Sequence, residues 1–259
     1  VWTPTPNPEA AYRGATIGLI GPKGRSVDGL ALGGLGVVAH RRLLGLGAAT
    51  YGVATDHLWG AGTGLVLVEA RKSLVGAALA GLRVRAPQRV WGIAASGAHT
   101  AAGSATGVVF SGGLAASESM RGLQVGTIAA TKSLTGAALG LLYAGAEDMR
   151  GLAVGLGGAV TGDVSTGIAA GGLAAYAGSD LTGAALSAGF AGSAGHLRGL
   201  LIGGIGGFAG LFNGAMVQEI NMEDFLVIDK ASDRHAGLAV GLVNYTRNLH
   251  GVQLGLLNW

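Results

Sequence analysis

Over most of the chain, very small side chains alternate with large aliphatic ones for about nine residues, a polar stretch of about five follows, and the cycle restarts on a glycine. The restarts fall at Gly14, Gly29, Gly45, Gly60, Gly76, Gly92, Gly107, Gly122, Gly136, Gly151, Gly167, Gly183, Gly199, Gly214, Gly237 and Gly251. Counted from each anchor as position zero, position four is again glycine in ten units, among them Gly126, Gly140, Gly155, Gly241 and Gly255. Position two is mostly alanine, with Gln124 and Gln253 as polar variants. Positions one, three and five carry the large residues, as in Leu152, Val154 and Leu156 or Val252, Leu254 and Leu256. Alternation with period two predicts strands, and two glycines in nearly every unit would make a poor helix. Except for Glu219, no charge falls between positions zero and six; the charges gather before the next anchor, as at Arg41–Arg42, Arg71–Lys72 and Glu147–Asp148. This distribution predicts an uncharged strand followed by a polar turn. A leucine or methionine usually stands two residues before the next glycine, as at Leu43, Leu58, Leu74, Met120 and Met149.

One such unit is too short to bury its own apolar face, so the units must pair with one another. The pattern predicts an all-β fold. The first form is an antiparallel transmembrane β-barrel of about 16 short repeat strands, its aliphatic face toward lipid and its small face inward. Strands of about nine residues approach the length that spans a bilayer. Trp59 and Trp91, each just before an anchor, then take the place of interface aromatics, together with the terminal Trp259. The alternative is a β-solenoid with coils of about 15 residues, favoured by the likeness of successive turns. In domain terms, residues 1–13 are an N-terminal extension and 14–259 a single repeat-built domain, with an inserted loop at 219–235.

Composition narrows the functional classes. Glycine supplies 51 of 259 residues, apolar residues 49%, charged residues only 12%, and the formal net charge is +3. Low charge with a mean hydropathy of +0.49 argues against disorder. The absence of cysteine excludes disulfides and thiolate metal sites. Basic residues form no long run and aromatics are few, so nucleic acid is not an expected partner. The first ten residues, VWTPTPNPEA, lack the pattern of a signal peptide and suit the start of a mature chain.

Two of the units carry a resemblance. GLAVGLVN at 237–244 and GVQLGLLN at 251–258 resemble the GVQIGLVN-type repeats of bacterial surface or outer-membrane repeat proteins. The resemblance implies an envelope location. It adds to the expectation of an outer-membrane barrel acting as channel, lipid-contacting scaffold or anchor of an envelope complex. The alternative expectation is a non-membrane solenoid that serves as a structural or adhesive module of the cell surface or outside the cell. Membrane lipid, other envelope proteins or further copies of the chain are the expected partners.

No residue pattern specifies an enzyme, a cofactor or a metal. The histidines (His40, His57, His99, His196, His235 and His250) are expected in turns or at strand ends. Asp56 and His57 are adjacent but lack a serine-nucleophile motif. GGIGGFAG at 203–210 has glycine spacing without a strand–turn–helix context. Arg83, Arg85 and Arg89 form the densest basic cluster, and with Pro87 they are expected in a solvated turn. The segment that departs from the repeat, 219–235, is a candidate interaction loop through Glu219, Glu223, Asp224, Phe225, Asp229 and Lys230. The glycines at positions zero and four are the candidate structural residues. The small, uncharged inward face does not suit an open ion pore.

Overall fold

In the computed structural model, residues 9–203, 206–218, 235–240, 243–244, 249–254 and 257–258 are described. The chain divides into two compact units, Val1–Thr127 and Ile128–Trp259. Each is a parallel β-solenoid.

In the first unit, β1 (Ala11–Gly18), β2 (Lys23–Gly33), β3 (Gly36–Ala49), β4 (Gly52–Gly64), β5 (Leu67–Ala80), β6 (Arg83–Ser96) and β7 (His99–Ser111) follow in order. They lead into β8 (Leu114–Gly155), whose residues up to 127 belong to this unit. Each strand pairs in parallel with the next. The pairing places Gly14, Gly29, Gly45, Gly60, Gly76, Gly92, Gly107 and Gly122 in one column. β1 starts at Ala11, inside the expected N-terminal extension.

In the second unit the two sides of a coil can be told apart. The later part of β8 pairs through Met149–Gly155 with β10 (Ser165–Gly171), which pairs with β12 (Leu181–Ser187). On the other side, Tyr143–Ala146 of β8 pairs with β9 (Gly158–Thr161), and β9 with β11 (Ala174–Ala177). β13 (Phe190–Gly203) pairs with both β11 and β12, then with β14 (Gly206–Gln218). Next come β15 (His235–Val240), β16 (Val243–Asn244), β17 (Leu249–Leu254) and β18 (Leu257–Asn258). This unit has a glycine column of its own: Gly151, Gly167, Gly183, Gly199, Gly214, Gly237 and Gly251.

These pairings overturn the antiparallel transmembrane barrel. Strands joined by hairpins run in opposite directions, whereas every pairing among the described residues is parallel. A parallel neighbour needs a connection of a dozen or more residues, and one coil of about 15 supplies it by returning to the same end. The girdle of interface aromatics falls with the barrel. Trp59 and Trp91 lie inside β4 and β6, on the outer face beside Val75, not at a membrane rim.

The expected polar turn is also different. The bends are the uncharged pairs just after position four, such as 34–35, 50–51 and 65–66. The stretch between the bend and the next anchor begins as extended backbone forming the second side of the coil, and charges such as Arg41 and Asp56 gather at the corner where that side ends. A shift of register between Ala39 and Arg42, and another between Thr55 and His57, mark the corner where that side meets the first.

Positions two and four mostly face inward, whereas the anchor glycines at position zero do not: Gly45 and Gly60 are exposed, and a Cβ on either would point at a carbonyl of the preceding coil. Ala31, Ala78, Ala94, Val109 and Gln124 at position two are buried, opposite a second row of Val37, Val53, Val68, Val84, Thr100 and Ala115. Leu43, Leu58, Leu74 and Met120, two residues before an anchor, fill the remaining space, with Leu134, Met149 and Leu181 doing so in the second unit. The sizes compensate within a coil. A Cβ on Gly62 would lie 2.9 Å from Leu58 Cδ2 and 3.3 Å from Val68 Cγ1. Where the leucine is replaced by Ala105, position two enlarges to Val109.

Candidate functional site

The odd positions point outward and leave an apolar face on the first unit. Leu46, Leu79, Ile93 and Phe110 are exposed there, as are Leu44, Trp59, Val75 and Trp91 just before their anchors. Parallel stacking puts Leu44, Trp59, Val75 and Trp91 in one continuous row without a charge.

Beside this row runs a corner rich in cations. The register aligns Ser26, Arg42, His57 and Ser73, and beyond them Arg25, Arg41 and Lys72 project at the turn of the coil. Together Ala11, Arg25, Ser26, Arg41, Arg42, Leu44, His57, Trp59 and Lys72 line an open groove of about 720 Å³. A smaller depression adjoins it, lined by Glu9, Arg25, His40 and Arg41.

Two of the groove's cations have acidic partners. Arg42 Nη2 donates to Asp28 Oδ2 at 3.0 Å, and Lys72 Nζ lies 3.3 Å from Asp56 Oδ2. Arg71 bridges Asp56 and Glu69 more loosely, each at 4.0 Å. Exposed pairs of this kind contribute little to stability, on the order of 1 kcal/mol or less. Arg25 and Arg41 make no ion pair among the described residues. Among the described residues the groove therefore carries two guanidinium groups outside any ion pair, with Glu9 near them in the adjoining depression.

His57 Nδ1 and Ser73 Oγ are 2.7 Å apart across neighbouring coils. Asp56 does not complete a triad with them, because its carboxylate is engaged by Lys72 and Arg71. Among the described residues no three of His, Cys, Asp and Glu come together as a metal site. The arrangement offers cation, acceptor and aromatic surface, which is binding chemistry.

The other candidate residues fall as follows. All six histidines lie in strands: His99 and His235 at a strand start, as expected, and His40, His57, His196 and His250 further in. Arg83 and Arg85 alternate with buried Val84 and Ala86 on the second side of a coil, while Arg89 lies beyond the corner at Pro87, so the three do not form one turn cluster. Arg83 is in register with His99, whose imidazole is held below its ordinary pKa by partial burial first and by the Arg83 guanidinium second.

Gly122, Gly136 and Gly151 have φ of 127°, 132° and 136°, and Gly126, Gly140 and Gly155 share β8 with them. Gly237 and Gly251 hold their places in the column, whereas Gly241, Gly255 and Trp259 lie outside the described residues. So do Glu219, Glu223, Asp224, Phe225, Asp229 and Lys230 of the candidate loop. The strands on either side of that loop, β14 and β15, pair directly with each other.

Sequence reasoning missed the groove because its members are spread over five coils. The signal was present as charges four residues before successive anchors, Arg25, Arg41, Asp56 and Lys72, three of them basic. Scans against protein-family models, curated proteins and solved structures found no match to the chain.

Proposed function

We propose that this chain is a structural or adhesive repeat module that works at the cell surface or outside the cell. The observation that carries the reading is the parallel, in-register stacking of coils, which lines up equivalent outward positions, as in the apolar row Leu44, Trp59, Val75 and Trp91. A surface built that way presents equivalent positions at each strand spacing, about 4.8 Å, and so suits extended partners. The resemblance of the last two repeat units to GVQIGLVN-type repeats supports an envelope setting.

The test is fractionation combined with surface digestion. The chain should be released from cells without detergent and should be cleaved by a protease that cannot enter intact cells. Full protection from that protease until the cells are lysed would overturn the surface reading.

A further inference from the structure

We infer that the groove along the corner of the first unit binds an acidic polysaccharide bearing carboxylate groups. The inference deepens the adhesive reading and rests on it. The groove is lined by residues of β1, β2, β3, β4 and β5, which at one strand spacing per coil is a track of about 19 Å. A track of that length fits several units of an extended chain better than one small molecule.

The side chains define the chemistry of the occupant. Arg25 and Arg41, in no ion pair among the described residues, offer guanidinium groups, which pair with carboxylates in a planar, two-point geometry. Trp59, 53% exposed, presents a broad apolar surface at the groove wall with Leu44 beside it, a platform on which the apolar face of a sugar ring can lie. Asp28 and Asp56 stand at the edge, held by Arg42 and Lys72, and Ser26 lies within the groove. Carboxylates and hydroxyls in that position accept hydrogen bonds from sugar hydroxyls.

A nucleic acid fits less well. A single exposed aromatic in the groove cannot stack a series of bases. A neutral glycan would leave Arg25 and Arg41 unmatched.

The experiment is binding of the purified full-length chain to polygalacturonate, followed by tryptophan fluorescence and by co-sedimentation. Neutral dextran and single-stranded poly(dT) are the comparison ligands. The expected result is salt-sensitive binding to polygalacturonate alone. Arg41→Ala and Trp59→Phe should each weaken it about tenfold, the scale of one charge-assisted or stacking contact. Trp59→Phe should also remove most of the fluorescence change. Arg85→Ala, on the other side of the coil, should bind as the parent does, and circular dichroism should match across all variants. Equal binding to dextran, stronger binding to poly(dT), no binding to polygalacturonate, or equal affinity of the Arg41→Ala and parent chains would overturn the inference. The surface reading fails separately, by protease protection on intact cells, so a chain that binds polygalacturonate but lies inside the cell sinks only that reading.

Discussion

At Gly60 the backbone has φ of 126°, a region in which side chains other than glycine are strained. A Cβ there would also run into the carbonyl of Gly45 in the coil before. Gly60→Ala should therefore cost about 3 kcal/mol or more in a urea melt, because strain and clash act together. Gly155 has an extended backbone, but a Cβ on it would meet the carbonyl of Gly158 across the bend. Leu156 next to it is 66% exposed. Gly155→Leu should thus unfold its unit or nearly so, while Leu156→Val should fall within about 0.5 kcal/mol of the parent. His99 gives a residue-scale test of electrostatics. Its folded pKa lies below the usual 6.5, so the neutral form is favoured by folding. Its contribution to stability is complete above pH 6.5 and is lost as the pH falls from there through the folded value. His99→Gln should flatten the stability profile just below pH 6.5, and Arg83→Ala should raise the His99 pKa in an NMR titration.

Each coil is held by an exchange of volume between its two sides. Leu58 occupies the space that Gly62 leaves, and Val68 closes it from the opposite sheet. Leu58→Ala should destabilise by about 2 to 5 kcal/mol. Gly62→Ala should be harmful in the parent yet milder in a Leu58→Val background, a non-additivity that a double-mutant cycle in urea would show. Matching effects of Gly62→Ala in both backgrounds would mean that the two positions do not share space. This pairing was only partly legible in the sequence. The inward parity of positions two and four followed from the period of two, though the anchor glycines depart from it, and the leucines before the anchors were visible as a recurring position. The direction of pairing was not, because a strand alternates in the same way whether its neighbour is parallel or antiparallel. The second side of the coil was hidden by its shortness and by the charges at its end. Arg83-Val84-Arg85-Ala86 does alternate charged with apolar, and its buried Val84 and Ala86 show that this was a strand signal within what composition suggested was a turn. The groove was the least legible feature, since its cations are neighbours only after stacking.

At the scale of the molecule, stability in each unit is a sum of coils and the interfaces between them. Removing residues 76–91 would delete one 16-residue coil and join Val75 to Gly92 without a change of phase. The product should keep its β-type circular dichroism and a single, lower melting transition. Removing only residues 76–83 would put the following inward positions out of step with the preceding coil, and the first unit should fail to fold. If both deletions behave alike, the columns of glycine and leucine do not set the register. The smallness of the inward side chains has a calorimetric consequence. Alanine, glycine, serine and valine bury little apolar area per residue, and Trp59, Ile93 and Leu46 are already wet in the native state. Unfolding then hydrates little new apolar surface, and the heat-capacity increment should fall below the usual value of about 12–15 cal/mol/K per residue. A small increment flattens the curve of free energy against temperature, so the protein should change little in stability between cold and warm surroundings.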